Sequence, residues 1–509
     1  MQNLHLIRYD ITNINSFELL KELSESFNLT LSDEITEESS YFDTFEWLLY
    51  DKGVIFEYKN GVIFISNMQT ETQIESKHAK IASILNTLDI DKLDFTFNIQ
   101  KIIYPRTLSK KFSITTKLKH VEIKDDLQKT TLRVDIKNIY GNIDKEAILI
   151  GTFLVIKPLK GYEKPLSKMV SFCENKKLEI INKNLFELIL NRLNIDTNFY
   201  NPAPKPKIFP NMKPKECFKK ISQQLLSVME LNENGVKKNI DSEFLHDYRV
   251  AVRKIRALLN QLKKYFSDEE YLKLKNDFKQ IGFYSGMVRD LDVYLLELDN
   301  FKNMLPDSMK DDLNPLVDYL KKEQQEEHKK LSKFLSSKEY KKSIEHFKHF
   351  LEKADEEDEE HPAIVKIAKK KISKLHREII EFGEMITDET PDEKLHELRI
   401  ECKKIRYLIE FFEPLFDSAK LMMLVKELKI LQQCLGAYQD LFVQREKLKI
   451  LIDKLPNPPT ATIMAIGKLS GDLELKQKEL RVEFYQKFKA FNSETNNKLY
   501  KELFYKIGE

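Results

Sequence analysis

Two textures of hydrophobic patterning divide the chain near residue 200. Before it, short β-branched and aromatic runs dominate. Val54–Lys59 and Val62–Asn67 flank Asn60-Gly61, a dipeptide that tolerates positive φ and so suits the type I′ turn of a hairpin. Residues 95–103, 112–118, 121–124, 130–136 and 148–156 continue that character and are predicted as further strands. Helices are predicted over 16–26, capped by Asn15 or Ser16, over 72–88 and over 184–193. The expected product for residues 1–200 is a mainly antiparallel sheet with a few helices. From Glu216 onward, apolar residues recur instead at three- and four-residue spacing, the period of an amphipathic helix. Breaks near 239–241, 267–268, 304–307, 354–362, 388–391, 413–417 and 455–459 divide this stretch into about eight helices. Between the two textures, residues 201–215 hold five prolines, which remove backbone donors and favour extended geometry, so a linker is expected there. The acidic run 352–360 reads as a solvated loop or helix end, with an electrostatic mimic that competes for the chain's own basic surface as the alternative.

Composition narrows the class. At roughly 150 residues per domain, 509 residues suggest two to four domains. With 42% hydrophobic residues the chain is too apolar for a disordered protein, and its 13 glycines argue against a fold built on Gly-rich loops. The strongest apolar run, 147–156, is too short to cross about 30 Å of hydrocarbon, and the N-terminus lacks the pattern of a secretory signal. Four widely spaced cysteines (Cys173, Cys217, Cys402 and Cys434) form no CxxC, which fits a reducing cytoplasm and argues against a disulfide framework or zinc site. Net charge is only +2, so any affinity for anions must come from local segregation of charge.

Such segregation exists, and it is duplicated. LHDYRVAVRKIRALLNQLKKYF at 245–266 returns 150 residues later as LHELRIECKKIRYLIEFFEPLF at 395–416, and RDLDV at 289–293 falls on QDLFV at 439–443. Two similar helical bundles of about four helices each, over about 216–350 and 361–500 and related by pseudo-twofold symmetry, are the expected architecture. In the first copy His246, Arg249, Arg253 and Arg256 fall within about 80° of one another on a helix. They lie beside an apolar stripe of Leu245, Tyr248, Val252, Ile255, Leu259 and Leu262. His396, Arg399, Lys403 and Arg406 repeat the stripe, and neither four-residue stripe contains a carboxylate. Like charges held together are costly unless an anion neutralises them. Arginine offers a bidentate fork for phosphate oxygens and lysine a point charge, so a linear polyanion matches two facing stripes.

The segments LHDYRVAVRKIR, GMVRDLD, LHELRIECKKIRY and LQQCLGAYQDL resemble the signature segments of the CHAD domain, the conserved histidine α-helical domain. The resemblance covers about 216–509. It implies an all-α double four-helix bundle that binds inorganic polyphosphate through basic residues in a central groove. It carries ligand-binding roles onto His246, Arg249, Arg253, Arg256, His396, Arg399, Lys403 and Arg406, and beyond them onto Lys254, Arg289, Lys404 and Tyr407. Lys254 sits about 80° past His246 around the helix, away from the apolar seam. Arg289 becomes Gln439 in the second copy, so the halves are not equivalent. Asp290 and Asp440 are expected to orient an arginine or cap structure. The implied setting is the cytoplasm, with polyphosphate granules as a partner surface, no membrane and no cofactor.

A CHAD domain often follows a CYTH domain, the triphosphate tunnel fold, and residues 1–200 resemble one distantly. YFDT at 41–44 and LKGYEKPLSKM at 159–169 carry the likeness. The departures govern what is expected of it. The family's first strand carries ExExK, whose glutamates hold a divalent metal, but MQNLHLIRY contains no acid. IFEY at 55–58 replaces the basic LRxR strand, and 147–160 lacks the late E-x-E pair. Metal-assisted triphosphate hydrolysis needs clustered carboxylates. The expectation is therefore a degenerate CYTH-like domain without catalytic or metal-binding residues. Arg133, Asp135 and Lys137 read as an ion-pair ladder along one strand face. Arg106, Lys110, Lys111, Lys117 and Lys119 form a basic region. The rival readings are an inorganic triphosphatase of the CYTH–CHAD type, which retained tunnel carboxylates would mark, a nucleic-acid binder, and a scaffold for protein contacts. Aliphatic flanks along the stripe, Tyr407 apart, argue against nucleic acid.

Overall fold

The computed structural model describes residues 6–143, 146–354 and 361–505, so most of the acidic run, 355–360, lies outside the described residues. Two compact units result, Met1–Asn201 and Pro202–Glu509.

The first unit is built on one antiparallel sheet. Its strands are β1 (Ile7–Asp10), β2 (Leu29–Leu31), β3 (Ile35–Asp43), β4 (Val54–Lys59), β5 (Val62–Asn67), β6 (Gln73–His78), β7 (Ile84–Leu85), β8 (Leu108–Lys124), β9 (Thr130–Ile143), β10 (Glu146–Pro158) and β11 (Glu179–Ile180). The path runs β11-β1-β10-β9-β8-β3-β4-β5-β6, with β2 and β7 also pairing with β8. The Asn60-Gly61 turn has φ of 51° and 81°, the pair of positive values a type I′ turn requires, and sets Lys59 opposite Val62. The short helices are α1 (Ser16–Ser26), α2 (Leu48–Asp51), α3 (Thr87–Lys92), α4 (Gln100–Ile103), α5 (Glu163–Asn175) and α6 (Leu185–Arg192). Leu19 and Leu23 of α1 and Met169 and Cys173 of α5 close over Val121, Leu132, Val134, Leu154 and Ile156.

Two sequence expectations fail here. The helix predicted over 72–88 is instead β6, β7 and the first residues of α3. β6 extends the sheet beside β5, and the Glu75 carboxylate accepts from the N–H groups of Thr96 (3.1 Å) and Phe97 (2.9 Å). Edge pairing overrides a weak local preference for helix. The strand predicted over 95–103 instead ends in α4, where Ile99 and Ile103 enter the core one helical turn apart, a period of four rather than two.

The second unit contains α7 (Pro214–Lys238), α8 (Ser242–Gln261), α9 (Asp268–Met304), α10 (Asn314–Leu335) and α11 (Lys338–Glu352), followed by α12 (Ile364–Glu384), α13 (Asp392–Phe412), α14 (Ser418–Lys454), α15 (Thr460–Phe491) and α16 (Glu494–Phe504). The first three helices of each set start 150 residues apart, and α9 and α14 have identical lengths of 37 residues. Each half thus has five α-helices among the described residues rather than about four. The breaks missed in sequence are serine caps. Ser337 Oγ accepts from Tyr340 N–H at 3.1 Å and Ser493 Oγ from Asn496 N–H at 3.4 Å. The proline-rich segment has no regular structure before Pro214, yet Ile208 and Met212 are buried, and the carbonyls of Pro210 and Met212 accept from Val365 and Ile364. It packs as part of the helical unit.

The halves share a core. In α9 the buried positions from Tyr271 to Val288 occupy one side, while Tyr294, Leu298 and Phe301 lie well around the helix from them. That second face meets Leu448 of α14 and Ala465, Ile466, Leu469 and Leu473 of α15. The long helices therefore begin in one half and end against the other, which fixes the two repeats to each other.

Candidate functional site

α8 and α13 are the helices that carry the duplicated stripes. Asp241 caps α8 by accepting from the N–H groups of Glu243 (3.0 Å) and Phe244 (3.3 Å). Leu245, Tyr248, Val252, Ile255, Leu259 and Leu262 are all buried, as are Leu395, Leu398, Cys402, Ile405 and Ile409 in the second copy. Burying those faces leaves the charged stripes beside the packing seam. His246, Arg249, His396, Arg399, Lys403 and Arg406 are partly buried, while Arg253 and Arg256 are exposed.

The two stripes act on each other. Burial, then the charges of Arg399 and Arg253, hold the Lys403 ammonium down to about 8, against the pull of Asp440. Arg399 is likewise lowered by burial first, with Arg253 and Arg406 adding to the effect and Asp440 opposing it. Arg253 comes from α8 and the groups it acts on from α13, and Lys254 of α8 and Arg406 of α13 share Glu410, so cations of both copies meet at this seam. Arg249 is lowered by burial, then by Arg253, Arg289 and Arg256, with Asp290 opposing. The Nδ1 of His396 and the Nε of Arg399 are buried with no hydrogen-bond partner, polar capacity left unused within the protein.

Some members are anchored. Arg249 Nη1 donates to the carbonyl of Gly282 and to Ser285 Oγ, both at 3.2 Å. Arg256 and Arg249 lie over Gly282 and Gly286 of α9, where a Cβ would meet their Nη1 atoms at 2.6 and 3.1 Å. The Gly-x-x-x-Gly spacing was the available sequence signal for this seat. Asp440 sits 3.4 Å from Arg399, the orienting role expected of it, whereas Asp290 pairs with Lys447 of α14 at 2.9 Å.

The outlying candidates have structural partners. Lys254 reaches across the seam to Glu410 at 3.0 Å, and Glu410 also lies 3.3 Å from Arg406. This carboxylate, one turn beyond the second stripe, was missed in sequence. Arg289 donates to the Ser242 carbonyl at 3.3 Å and pairs with Glu243 at 3.7 Å, tying α9 to the start of α8. Lys404 pairs with Glu401 at 2.7 Å and lines a separate cavity of about 500 Å³ with Glu378, Phe382 and Glu397, so it does not join the cluster. The Tyr407 ring lies under Arg406, 5.4 Å from its guanidinium carbon.

In the first unit, Asp10 of β1 is held by the Thr12 N–H at 2.9 Å and by Arg192. The ladder at Asp135 runs across strands rather than along one. Asp135 meets His120 at 2.7 Å and Lys157 at 2.5 Å, while Arg133 turns to Glu122 at 3.7 Å. His120 stands directly opposite Asp135 and Glu122 opposite Arg133, while Lys157 reaches Asp135 diagonally from the other neighbouring strand. Of the basic region, Arg106 is buried against Glu46 (2.8 Å), Lys111 donates to the Phe45 carbonyl (3.0 Å) and Lys119 approaches Glu34 (3.8 Å). Among the described residues no three His, Cys, Asp or Glu side chains group as metal ligands. All four cysteines are buried free thiols, and no described helix is long and apolar enough to cross a membrane.

A duplicated five-helix array with a cationic cluster where its second helices face each other defines the class. In comparison with known families, residues 220–449, within the helical unit, match the model of the CHAD domain. An uncharacterized protein of Mycobacterium tuberculosis, found in two strains, is 26% identical over 212 residues, 40% of this chain. The chain spans about two fifths (39%) of the length of those curated relatives. Among solved structures, the CHAD domain of the plant Ricinus communis covers 57% of this chain and 96% of its own (23% identity, TM-score 0.48). PptA from Streptomyces chartreusis covers 54% and 98% (14%, 0.44). A proposed adenylate cyclase from Vibrio parahaemolyticus covers 36% and 96% (10%, 0.23).

Proposed function

We propose that the helical unit binds inorganic polyphosphate without covalent chemistry, along the cluster formed by His246, Arg249, Arg253 and Arg256 with His396, Arg399, Lys403 and Arg406. The observation that carries this reading is the meeting of α8 and α13, where Lys254 of one repeat and Arg406 of the other share Glu410 at 3.0 and 3.3 Å and the charge of Arg253 bears on Arg399 and Lys403. Two helices from different repeats hold cations together in a partly desolvated place, with Asp440, Glu410 and Asp290 among the acids that act on them. A polyanion relieves that repulsion, and its repeating charges match a stripe rather than a point. Polyphosphate in the cytoplasm, including granules, is the ligand this reading names.

A fragment beginning at Pro202 should match the full chain in polyphosphate affinity within a few-fold, since every stripe residue lies beyond it. Fluorescence titration of both proteins checks this, and binding that disappears with residues 1–201 would refute it. Starting at residue 216 instead discards the buried Ile208 and Met212, roughly 1.5–3 kcal/mol each. That shorter fragment should melt several degrees lower.

We read the first unit as a degenerate relative of the tunnel enzymes. Asp10 and Asp135 are committed to Arg192, Lys157 and His120, and metal-assisted hydrolysis needs carboxylates grouped around the ion. The purified chain should release no phosphate from triphosphate with Mg²⁺ or Mn²⁺. Metal-dependent release that tracks with substitutions in this unit would reinstate the triphosphatase.

A further inference from the structure

His376 of α12 is 4% exposed, and its hydrogen bonds fix which nitrogen carries the proton. The Tyr505 hydroxyl donates to the carbonyl of Ser373 at 3.2 Å, and its oxygen lies 3.1 Å from His376 Nδ1. A carbonyl only accepts, so the single phenolic proton goes to Ser373 and the Nδ1–H donates to Tyr505. Stacking on the Tyr500 ring, with centroids 3.8 Å apart and planes 15° apart, holds the imidazole in that orientation. Burial pushes its pKa down to about 4, with Asn497 opposing that shift and the charge of Lys501 adding to it. Near pH 7 the ring is neutral, and its Nε2 is a bare acceptor, buried with no hydrogen-bond partner. Asn497 of α16 directs its amide N–H groups to the Asn492 carbonyl (3.2 Å) and side-chain oxygen (2.8 Å). Its Oδ1 is thus a second buried acceptor with no partner.

Both side chains line one cavity of about 220 Å³ between α12 and α16. Ile380 and the Tyr505 ring supply its apolar wall, and Arg377 lies across that ring with its guanidinium carbon 5.8 Å from the centre. Arg377 and Lys501 are exposed where they line the cavity, with Glu381 the acid among them. Two unpaired acceptors call for a group with two donors, and an ammonium there would be repelled by Arg377 and Lys501. A neutral NH₂ group meets both conditions. An aromatic amine is neutral near pH 7 because its lone pair is shared with the ring. The wall calls for a flat apolar body, and the two cations call for a carboxylate. The volume is below the roughly 300–1,000 Å³ of pockets that take drug-sized ligands, so it suits a single ring.

We propose that this cavity binds a small aromatic carboxylic acid carrying a neutral NH₂ group. The NH₂ donates to Nε2 of His376 and Oδ1 of Asn497, the ring lies against Ile380 and Tyr505, and the carboxylate meets Arg377 and Lys501. The site is separate from the stripes on α8 and α13 and does not rest on the polyphosphate reading.

The test is isothermal titration of the full chain with 4-aminobenzoate, 4-hydroxybenzoate and benzoate at pH 7.5. One 4-aminobenzoate should bind per chain. Benzoate should bind at least about tenfold more weakly, because it leaves both acceptors unpaired, and 4-hydroxybenzoate, with one donor, should fall between them. Arg377→Gln should weaken 4-aminobenzoate binding by about tenfold. His376→Phe keeps a flat ring on Tyr500 but removes one acceptor, so it should narrow the preference for 4-aminobenzoate over benzoate. Arg377 is exposed, so its variant tests the site even where His376→Phe does not fold. No saturable binding of 4-aminobenzoate, equal affinity for benzoate, an Arg377→Gln titration identical to that of the unsubstituted chain, or an unchanged preference in folded His376→Phe would overturn the proposal.

Discussion

Alanine in place of Arg253 or of Lys403 should each weaken polyphosphate binding by roughly tenfold to a hundredfold. A hydrogen bond to a charged group contributes about 1.5–3 kcal/mol, and each 1.4 kcal/mol is about tenfold in Kd. The losses should be comparable, because Arg253 of α8 and Lys403 of α13 occupy equivalent places in the two repeats and press on each other electrostatically. Each substitution should also flatten the dependence of log K on log salt by about one unit per phosphate contact removed, because fewer counterions are released on binding. Lys342→Ala, on an exposed position of α11, should leave affinity and slope unchanged. A loss confined to one repeat, or an equal loss at Lys342, would remove the basis for a shared ligand.

Affinity should also fall as the solution becomes alkaline. The free protein holds the Lys403 ammonium down to about 8 through burial and the charges of Arg399 and Arg253. A bound polyanion supplies negative charge beside it and lifts that value. Binding therefore takes up a proton once the free amine begins to titrate. The contribution of Lys403 is full below pH 8 and is lost as pH rises through the free value toward the bound one. If binding lifts the value by one to two units, affinity should drop by roughly tenfold between pH 7 and 9.5. Lys403→Arg should abolish most of that decline while retaining tight binding, since arginine stays charged throughout. A profile that declines identically in Lys403→Arg would show that the amine is not part of the site.

The readable parts of this molecule are those where local chemistry and tertiary structure agree. The Asn60-Gly61 hairpin, the caps at Asn15 and Asp241 and the apolar stripe from Leu245 to Leu262 each follow from residue type and period. The duplicated motif announced both the repeat and the stripe residues, because helix geometry alone puts them on one side. What escaped depends on neighbours distant in sequence. Residues 73–78 became strand because an edge was open beside β5. α9 and α14 lack a single apolar face because each changes partners halfway along, so their patterning averages out. Glu410 was missed for a similar reason. It lies one turn past the stripe on its own helix, and only the approach of α8 makes it the partner of Lys254. Gly282 and Gly286 look like helix-weakening residues until Arg256 and Arg249 are seen lying over them.

The most direct test of the shared cationic site is a titration of the full chain with inorganic polyphosphate, set against single-stranded RNA of matched charge and repeated at several salt concentrations. The account predicts saturable binding of one polyphosphate chain per protein, at least tenfold tighter than the RNA, with a steep linear decline of log K with log salt. Equal affinity for the two polyanions, or no saturable binding of polyphosphate at all, would contradict it.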